Sequence, residues 1–240
     1  MTLTKKGIIL STFLWMVCSL FSQAQTDIWA EIANMRKLYT SLSDYSAELN
    51  YKIYAGHTSQ EVVETQSGEI QIFGTNCRTV LGDLEFVKND DFIIQVNKED
   101  QELNILKTSQ ESTTPLMPFS DFKTMDQALQ KNKAVSKKTS NGISIITFDM
   151  TSMASEFDKV TVHVANGSQL RKVILFYKSS IQEYDVPGDY KPRVEIDYVK
   201  QNFSAGFTKA FFSEKKYFSV VNGRIVTTNP FKDFTIFENP

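Results

Sequence analysis

Tyr45-Ser-Ala-Glu-Leu-Asn-Tyr-Lys-Ile-Tyr-Ala55, Ser67-Gly-Glu-Ile-Gln-Ile-Phe73, Asp91-Phe-Ile-Ile-Gln-Val96 and Glu102-Leu-Asn-Ile-Leu-Lys107 mark out the stretch from Ser46 to Thr108, and their pattern decides the fold. In the first run Tyr45, Ala47, Leu49, Tyr51, Ile53 and Ala55 alternate with Ser46, Glu48, Asn50 and Lys52, the period of two that marks a half-buried strand. Turn residues separate the runs: Gly56-His57-Thr58-Ser59, Asn89-Asp90-Asp91 and Asn97-Lys98-Glu99-Asp100. Further strands are predicted at Glu61–Thr65, Glu69–Phe73, Arg78–Leu81 and Leu84–Lys88, with Gly68 as a bulge or bend that makes a long sheet curl. The unit reads as an antiparallel meander with one apolar face.

Upstream lies an amphipathic helix over Asp27–Leu42. Ile28, Ile32, Met35, Tyr39 and Leu42 recur at three- and four-residue spacing as one stripe, Asp27 can cap the first turn, and Arg36 and Lys37 lie toward the negative end of the dipole. Glu31, Asn34 and Ser41 fall on the other side, read as solvated. Before the helix, Lys5 and Lys6 precede an apolar run from Gly7 to Phe21, and Ser22-Gln23-Ala24 supplies small residues for cleavage. The run is about 15 residues long, short of the roughly 20 that span a bilayer. Residues 1–24 therefore read as a signal peptide, with export to the periplasm and a mature chain starting at Gln25.

Trp15-Met16-Val17 before Cys18 lacks the small residue that lipoprotein processing requires. With the leader removed, Cys77 is the one remaining cysteine, no internal disulfide is possible, and it reads as a small buried hydrophobe. The leader also takes Lys5 and Lys6 with it, leaving 24 basic against 28 acidic residues, a net charge of −4. No basic stripe suits nucleic acid. A 41% hydrophobic composition implies a packed core, and 18 phenylalanines against 10 glycines suit aromatic-rich strands.

Downstream, Thr108–Thr114 is polar, Pro115 and Pro118 bracket Leu116 and Met117, and Phe122–Lys131 reads as a short helix. Lys131–Asn141, with Lys131, Lys133, Lys137 and Lys138, reads as a solvated basic loop. Strands resume at Ile143–Phe148, Glu156–Val164, Leu170–Tyr177 after an Asn166-Gly167 turn, Arg193–Lys200, Tyr217–Val221, Arg224–Thr227 after Asn222-Gly223, and Phe234–Phe237. The total is eleven to thirteen strands and two helices in one domain, 25–240.

Catalytic signals are weak. His57 is in a turn and His163 stands between Val162 and Val164, neither with acidic or cysteine neighbours at metal-ligand spacing. No nucleophile elbow, phosphate loop or dinucleotide fingerprint is present. Asp90-Asp91 and Glu99-Asp100 sit in turns for backbone reasons, without the alternating oxygen ligands of a calcium loop. A hydrolase with dispersed carboxylates ranks third among the readings. No enzyme activity, metal or cofactor is expected.

Leu42-Ser-Asp-Tyr-Ser-Ala-Glu-Leu49, Ser67-Gly-Glu-Ile-Gln-Ile72, Asp91-Phe-Ile-Ile-Gln-Val96, Thr113-Thr-Pro-Leu-Met117 and Asn166-Gly-Ser-Gln-Leu-Arg-Lys-Val173 occur in an order and spacing that resembles the LolA/LolB-like envelope proteins across nearly the whole mature chain. The resemblance implies a mainly β fold with few helices: a large curved antiparallel sheet forming an incomplete β-barrel, covered by helices, around a cavity for acyl chains. Carriers of that family end the strand after the Ser-Gly element with an arginine-proline pair that latches the helical lid. Here Gly74 and Thr75 stand at those positions, and Arg78 would face differently.

An apolar cavity can hold an acyl chain without specific polar groups, since each CH₂ gains about 0.8 kcal/mol on leaving water. The candidate ligand-binding lining is Leu49, Tyr51, Ile53, Ile70, Ile72, Phe92, Ile94 and Val96, with Met117 and Met125 from the insert, whose thioethers adapt to varied guests. The expected partners are lipid acyl chains or lipoproteins and, on an alternative reading, another envelope protein docked on the sheet. The protein is expected to be a monomer that binds no nucleic acid.

Overall fold

The computed structural model describes residues 28–39, 41–108, 135–152, 155–179 and 191–239. The leader, Met117, Met125 and the helix expected over Phe122–Lys131 lie outside the described residues.

The helix, α1, covers residues 28–39. Fourteen strands follow among the described residues: β1 Asp44–Tyr54, β2 Val62–Phe73, β3 Asn76–Leu81, β4 Leu84–Lys88, β5 Phe92–Asn97, β6 Glu102–Lys107, β7 Val135–Ser140, β8 Ile143–Asp149, β9 Phe157–Ala165, β10 Gln169–Tyr177, β11 Arg193–Asn202, β12 Phe218–Val221, β13 Arg224–Thr227 and β14 Thr235–Asn239. Twelve form one sheet in the order β14-β6-β5-β4-β3-β2-β1-β11-β10-β9-β8-β7, while β12 and β13 form a separate ribbon. The large sheet comprises two meanders joined by antiparallel pairing of β1 with β11. Only β14 runs parallel to its neighbour, β6. The sheet is open, with β14 and β7 as its edges.

Three local expectations change. The 61–65 and 69–73 runs form one continuous strand, and Gly68 is no bulge: it pairs in register with Leu49 on one side and Leu81 on the other. Its reason is close approach, because a Cβ there would lie 2.4 Å from the Val80 carbonyl oxygen. The register shifts fall elsewhere, at Ser46/Glu48 against β11 and at Ile53/Tyr54 against β2. The supposed basic loop contains β7, an edge strand whose polar and charged residues discourage further pairing.

The largest change concerns the faces. Cross-strand partners share a face, so the register traces each face across the sheet. Tyr51 lies level with Ile196, Val173, Val162, Ile146 and Lys137 through β11, β10, β9, β8 and β7. In the other direction Ala47 is level with Ile70, Thr79, Phe86 and Gln95. We refer to this as the helix face, because Ile28, Ile32, Met35 and Tyr39 of α1 share one buried cluster with Leu49, Ile70, Val162, Val173, Ile196 and Tyr198. A second cluster holds Val87, Ile94, Val96, Leu103 and Ile105 with Phe212, Tyr217, Phe218 and Phe231. Val87, Ile94 and Ile105 are level with Gln71 and Arg78, which puts them on the opposite face. The meander therefore has two apolar faces in different halves, not one. The change-over falls in β4, where consecutive Phe86 and Val87 point to opposite sides.

Candidate functional site

The expected lining separates along this division. Leu49 and Ile70 are buried on the helix face, and Tyr51, Ile53 and Ile72 are half-buried against the same cluster. Ile94 and Val96 are wholly buried on the opposite face under the C-terminal segment, and Phe92 packs there edge-on to Phe218 with ring centres 5.1 Å apart. The helix face continues beyond α1 across β3, β4 and β5 through residues that belong to neither cluster. Leu81, Leu84 and Phe86 are half-buried and Ile93 is buried. Alternation within each strand could have pointed to Leu84 and Phe86; only the register shows that they extend the surface begun by Ile70 and Ile72.

Polar groups pin α1 to the sheet at both ends. Glu31 is buried, not solvated: its Oε2 lies 2.5 Å from Lys137 Nζ at the β7 edge. At the other end Tyr39 and Tyr45 donate their hydroxyls to Gln201 Oε1 at 2.9 and 3.1 Å. The Leu170 N–H donates to Tyr39 Oη at 3.0 Å, and Gln201 Nε2 donates to the Leu170 carbonyl at 2.7 Å. Gln201 follows Lys200, whose φ of 45° marks the irregular end of β11. Burial raises the pKa of Tyr39 and Tyr45, and pushes Tyr51 up to about 12, with the neighbouring Tyr177 adding to it. These hydroxyls are neutral donors at physiological pH. Cys77 is half-buried on the same face, its thiol pushed up to about 12 by burial and only partly drawn back by Lys88.

The opposite face has its own polar centre. Gly74 and Thr75 are the two-residue turn between β2 and β3, and Arg78 lies on the face opposite α1. Its guanidinium reaches Glu85 Oε1 at 2.6 Å, Glu69 Oε1 at 2.5 Å and Gln71 Oε1 at 2.8 Å. Tyr217 donates its hydroxyl to the same Glu85 oxygen at 2.5 Å. Burial opposes the charge on Glu85, but the hydrogen bonds from Arg78 and Tyr217 and the charges of Arg78 and Lys98 outweigh it and hold the carboxyl below its ordinary value.

Neither histidine belongs to a metal-holding group among the described residues. His57 Nε2 lies 2.9 Å from the Tyr177 carbonyl oxygen, and its ring stands edge-on to Phe176. His163 is half-buried on the opposite face of β9; burial, then the Lys172 charge, lower its pKa. Among the described residues no group of His, Cys, Asp and Glu could hold a metal ion, and no helix is long and apolar enough to cross a membrane.

No protein-family model matches the chain, and no curated protein matches it by sequence. Among solved structures it is similar to an uncharacterised conserved protein from Thermus thermophilus, at 9% identity and a TM-score of 0.46, covering 90% of this chain and 99% of that one. It is also similar to a LolA superfamily protein from Nitrosomonas europaea, at 7% identity and a TM-score of 0.34, covering 79% and 97%. The lipoprotein LppX from Mycobacterium tuberculosis is similar at 13% identity and a TM-score of 0.35, covering 72% and 93%.

Proposed function

We propose that this is an exported carrier-like protein that holds an acyl chain, of a lipid or a lipoprotein, against the helix face and performs no catalysis. The observation that carries the reading is the half-buried apolar strip of Ile72, Leu81, Leu84 and Phe86, which continues the core beneath α1. Burying such a strip under a guest is favourable by roughly 25 cal/mol per Å² of apolar surface. Tyr51 and Ile53 belong to the proposed lining, with Leu49 and Ile70 as its floor. Met117 and Met125 remain candidates from the 109–134 segment. Phe92, Ile94 and Val96 instead hold the C-terminal segment in place. The leader is cleaved after Ala24, and the mature chain is one periplasmic domain in an open sheet of the LolA/LolB-like kind. Native mass spectrometry of protein purified from cell envelopes is expected to show acyl ligands. A clean apo mass, with no uptake of a fluorescent fatty acid, would overturn the reading.

A second reading has its own observation. The β12–β13 ribbon exposes Val220, Val221 and Val226, which suits docking on another envelope protein. Pull-down with the full chain distinguishes the two: a stoichiometric partner without bound lipid favours docking.

A further inference from the structure

One hydroxyl on the helix face finds no partner among the described residues. Tyr198 is 2% exposed, and among the described residues its buried Oη has no hydrogen-bond partner. The neighbouring hydroxyls are provided for, since Tyr39 and Tyr45 both donate to Gln201. A phenylalanine would fill the same space without stranding a polar atom, so an orphaned hydroxyl in a native core calls for a partner that binds there.

The register gives that hydroxyl a lane. Tyr198 is level with Leu49, Leu49 with Gly68, Gly68 with Leu81, and Leu81 with Leu84. From β11 to β4 is four strand spacings, roughly 19 Å, about the reach of an extended long acyl chain. The groups that bear electrostatically on Tyr198 are two other tyrosines, Tyr51 and Tyr39. An ionised carboxylate would be buried there without a counter-charge, which is prohibitive, whereas a neutral carbonyl needs only the one donor.

We propose that Tyr198 donates a hydrogen bond to the ester carbonyl of an acyl lipid whose chain lies along Leu49, Gly68, Leu81 and Leu84, so that the protein selects esterified over free fatty acid. This rests on the carrier reading above. Tyr198 shares its buried cluster with Ile28, Ile32, Met35 and Tyr39 of α1, so admitting the guest requires α1 to lift.

The test uses the full chain and three pyrene-labelled probes of matched length: a fatty-acid methyl ester, the free acid and an alkane. Wild type is expected to bind the ester several-fold more tightly than the acid. Tyr198→Phe is expected to lower ester affinity about five-fold, the worth of one hydrogen bond, to leave alkane affinity unchanged, and not to lower the thermal midpoint. Three results overturn the assignment: unchanged ester affinity, equal losses for ester and alkane, or a lowered midpoint, which would show the hydroxyl bonded to a fixed internal water. If wild type takes up none of the probes, the carrier reading falls and this assignment with it. If it takes up all three equally, the carrier reading stands and only the role of Tyr198 falls.

Discussion

The two cores of this sheet are closed by opposite means. Over β1 and β7–β11 the cover is α1, which satisfies most of its backbone internally and packs through its apolar stripe, with Glu31 reaching Lys137 beside it. Over β4–β6 the cover is the segment from Phe207 to Phe234, which contains only two short 3₁₀ turns, Lys209–Phe212 and Glu214–Lys216, and the small ribbon. Its backbone has to be tied down by side chains. Asp44 accepts from the N–H groups of Gly206 and Phe207 at 2.6 and 3.2 Å, and Asn89 Nδ2 donates to the Phe212 carbonyl at 3.2 Å. Its aromatic side chains are then driven into the sheet. A helix secured by a few polar pins can move as a unit; a segment tied at many points cannot. On the carrier reading, an opening for a guest belongs to the α1 side, and the C-terminal side is its wall.

The harshest way to break this contrast is to hollow out the wall. Phe212 is wholly buried and meets Phe207 and Phe211 edge-on; Phe212→Ala is expected to cost about 3–5 kcal/mol in denaturant unfolding. A loss below about 1 kcal/mol would show that the segment does not close this core. Lys137→Ala should cost about 2 kcal/mol by leaving Glu31 buried without its partner, and Glu31→Gln in the same chain should restore most of it. A double-mutant cycle with no coupling would remove Glu31–Lys137 from the pins on α1.

Tyr217→Phe is expected to cost about 1–2 kcal/mol near neutral pH, because it strips a hydrogen bond from a buried carboxylate. The pH dependence has a defined sign. Glu85 is held below its ordinary value of 4.5 in the folded protein, so its stabilisation is complete above that value and is lost as pH falls through the folded pKa. Tyr217→Phe should make the acid-side fall shallower; an unchanged acid limb in the pH–stability profile would contradict the coupling. The smallest effect is expected on the ribbon, where Val226→Thr should change stability by no more than about 0.5 kcal/mol. If the docking reading is right, that substitution weakens partner capture while leaving both cores intact.

Much of the sheet is legible in the sequence because its signals are local. The alternation from Tyr45 to Ile53, the stripe from Ile28 to Tyr39 and the Asn166-Gly167 and Asn222-Gly223 turns each lie within a few residues of what they specify. The change of face is not local. Ile70-Gln71-Ile72 and Phe92-Ile93-Ile94 have apolar residues at the same spacing, and only the pairing carried through Arg78 and Val87 shows that their buried sides differ. Glu31 reads as solvated because the lysine that neutralises it lies more than a hundred positions away. β7 reads as a loop because an edge strand can be almost wholly polar when pairing with β8 supplies its order. Tyr198 belongs to an ordinary alternating strand, and nothing in its neighbourhood along the chain marks its hydroxyl as unpartnered.

The seam between β1 and β11 also shapes how the molecule assembles. From β2 to β6 neighbouring strands are joined by turns of two to four residues and can zip together quickly, but Glu48 meets Lys200 across 152 positions. Closing so long a loop is entropically slow and is rewarded only once the contacts beyond it form. Until β11 arrives, β1 presents an unpaired edge beside its buried apolar residues Tyr45, Ala47 and Leu49. This is the interval in which a newly made chain is most exposed to mispairing with a copy of itself, and in which a holding chaperone would bring the greatest benefit.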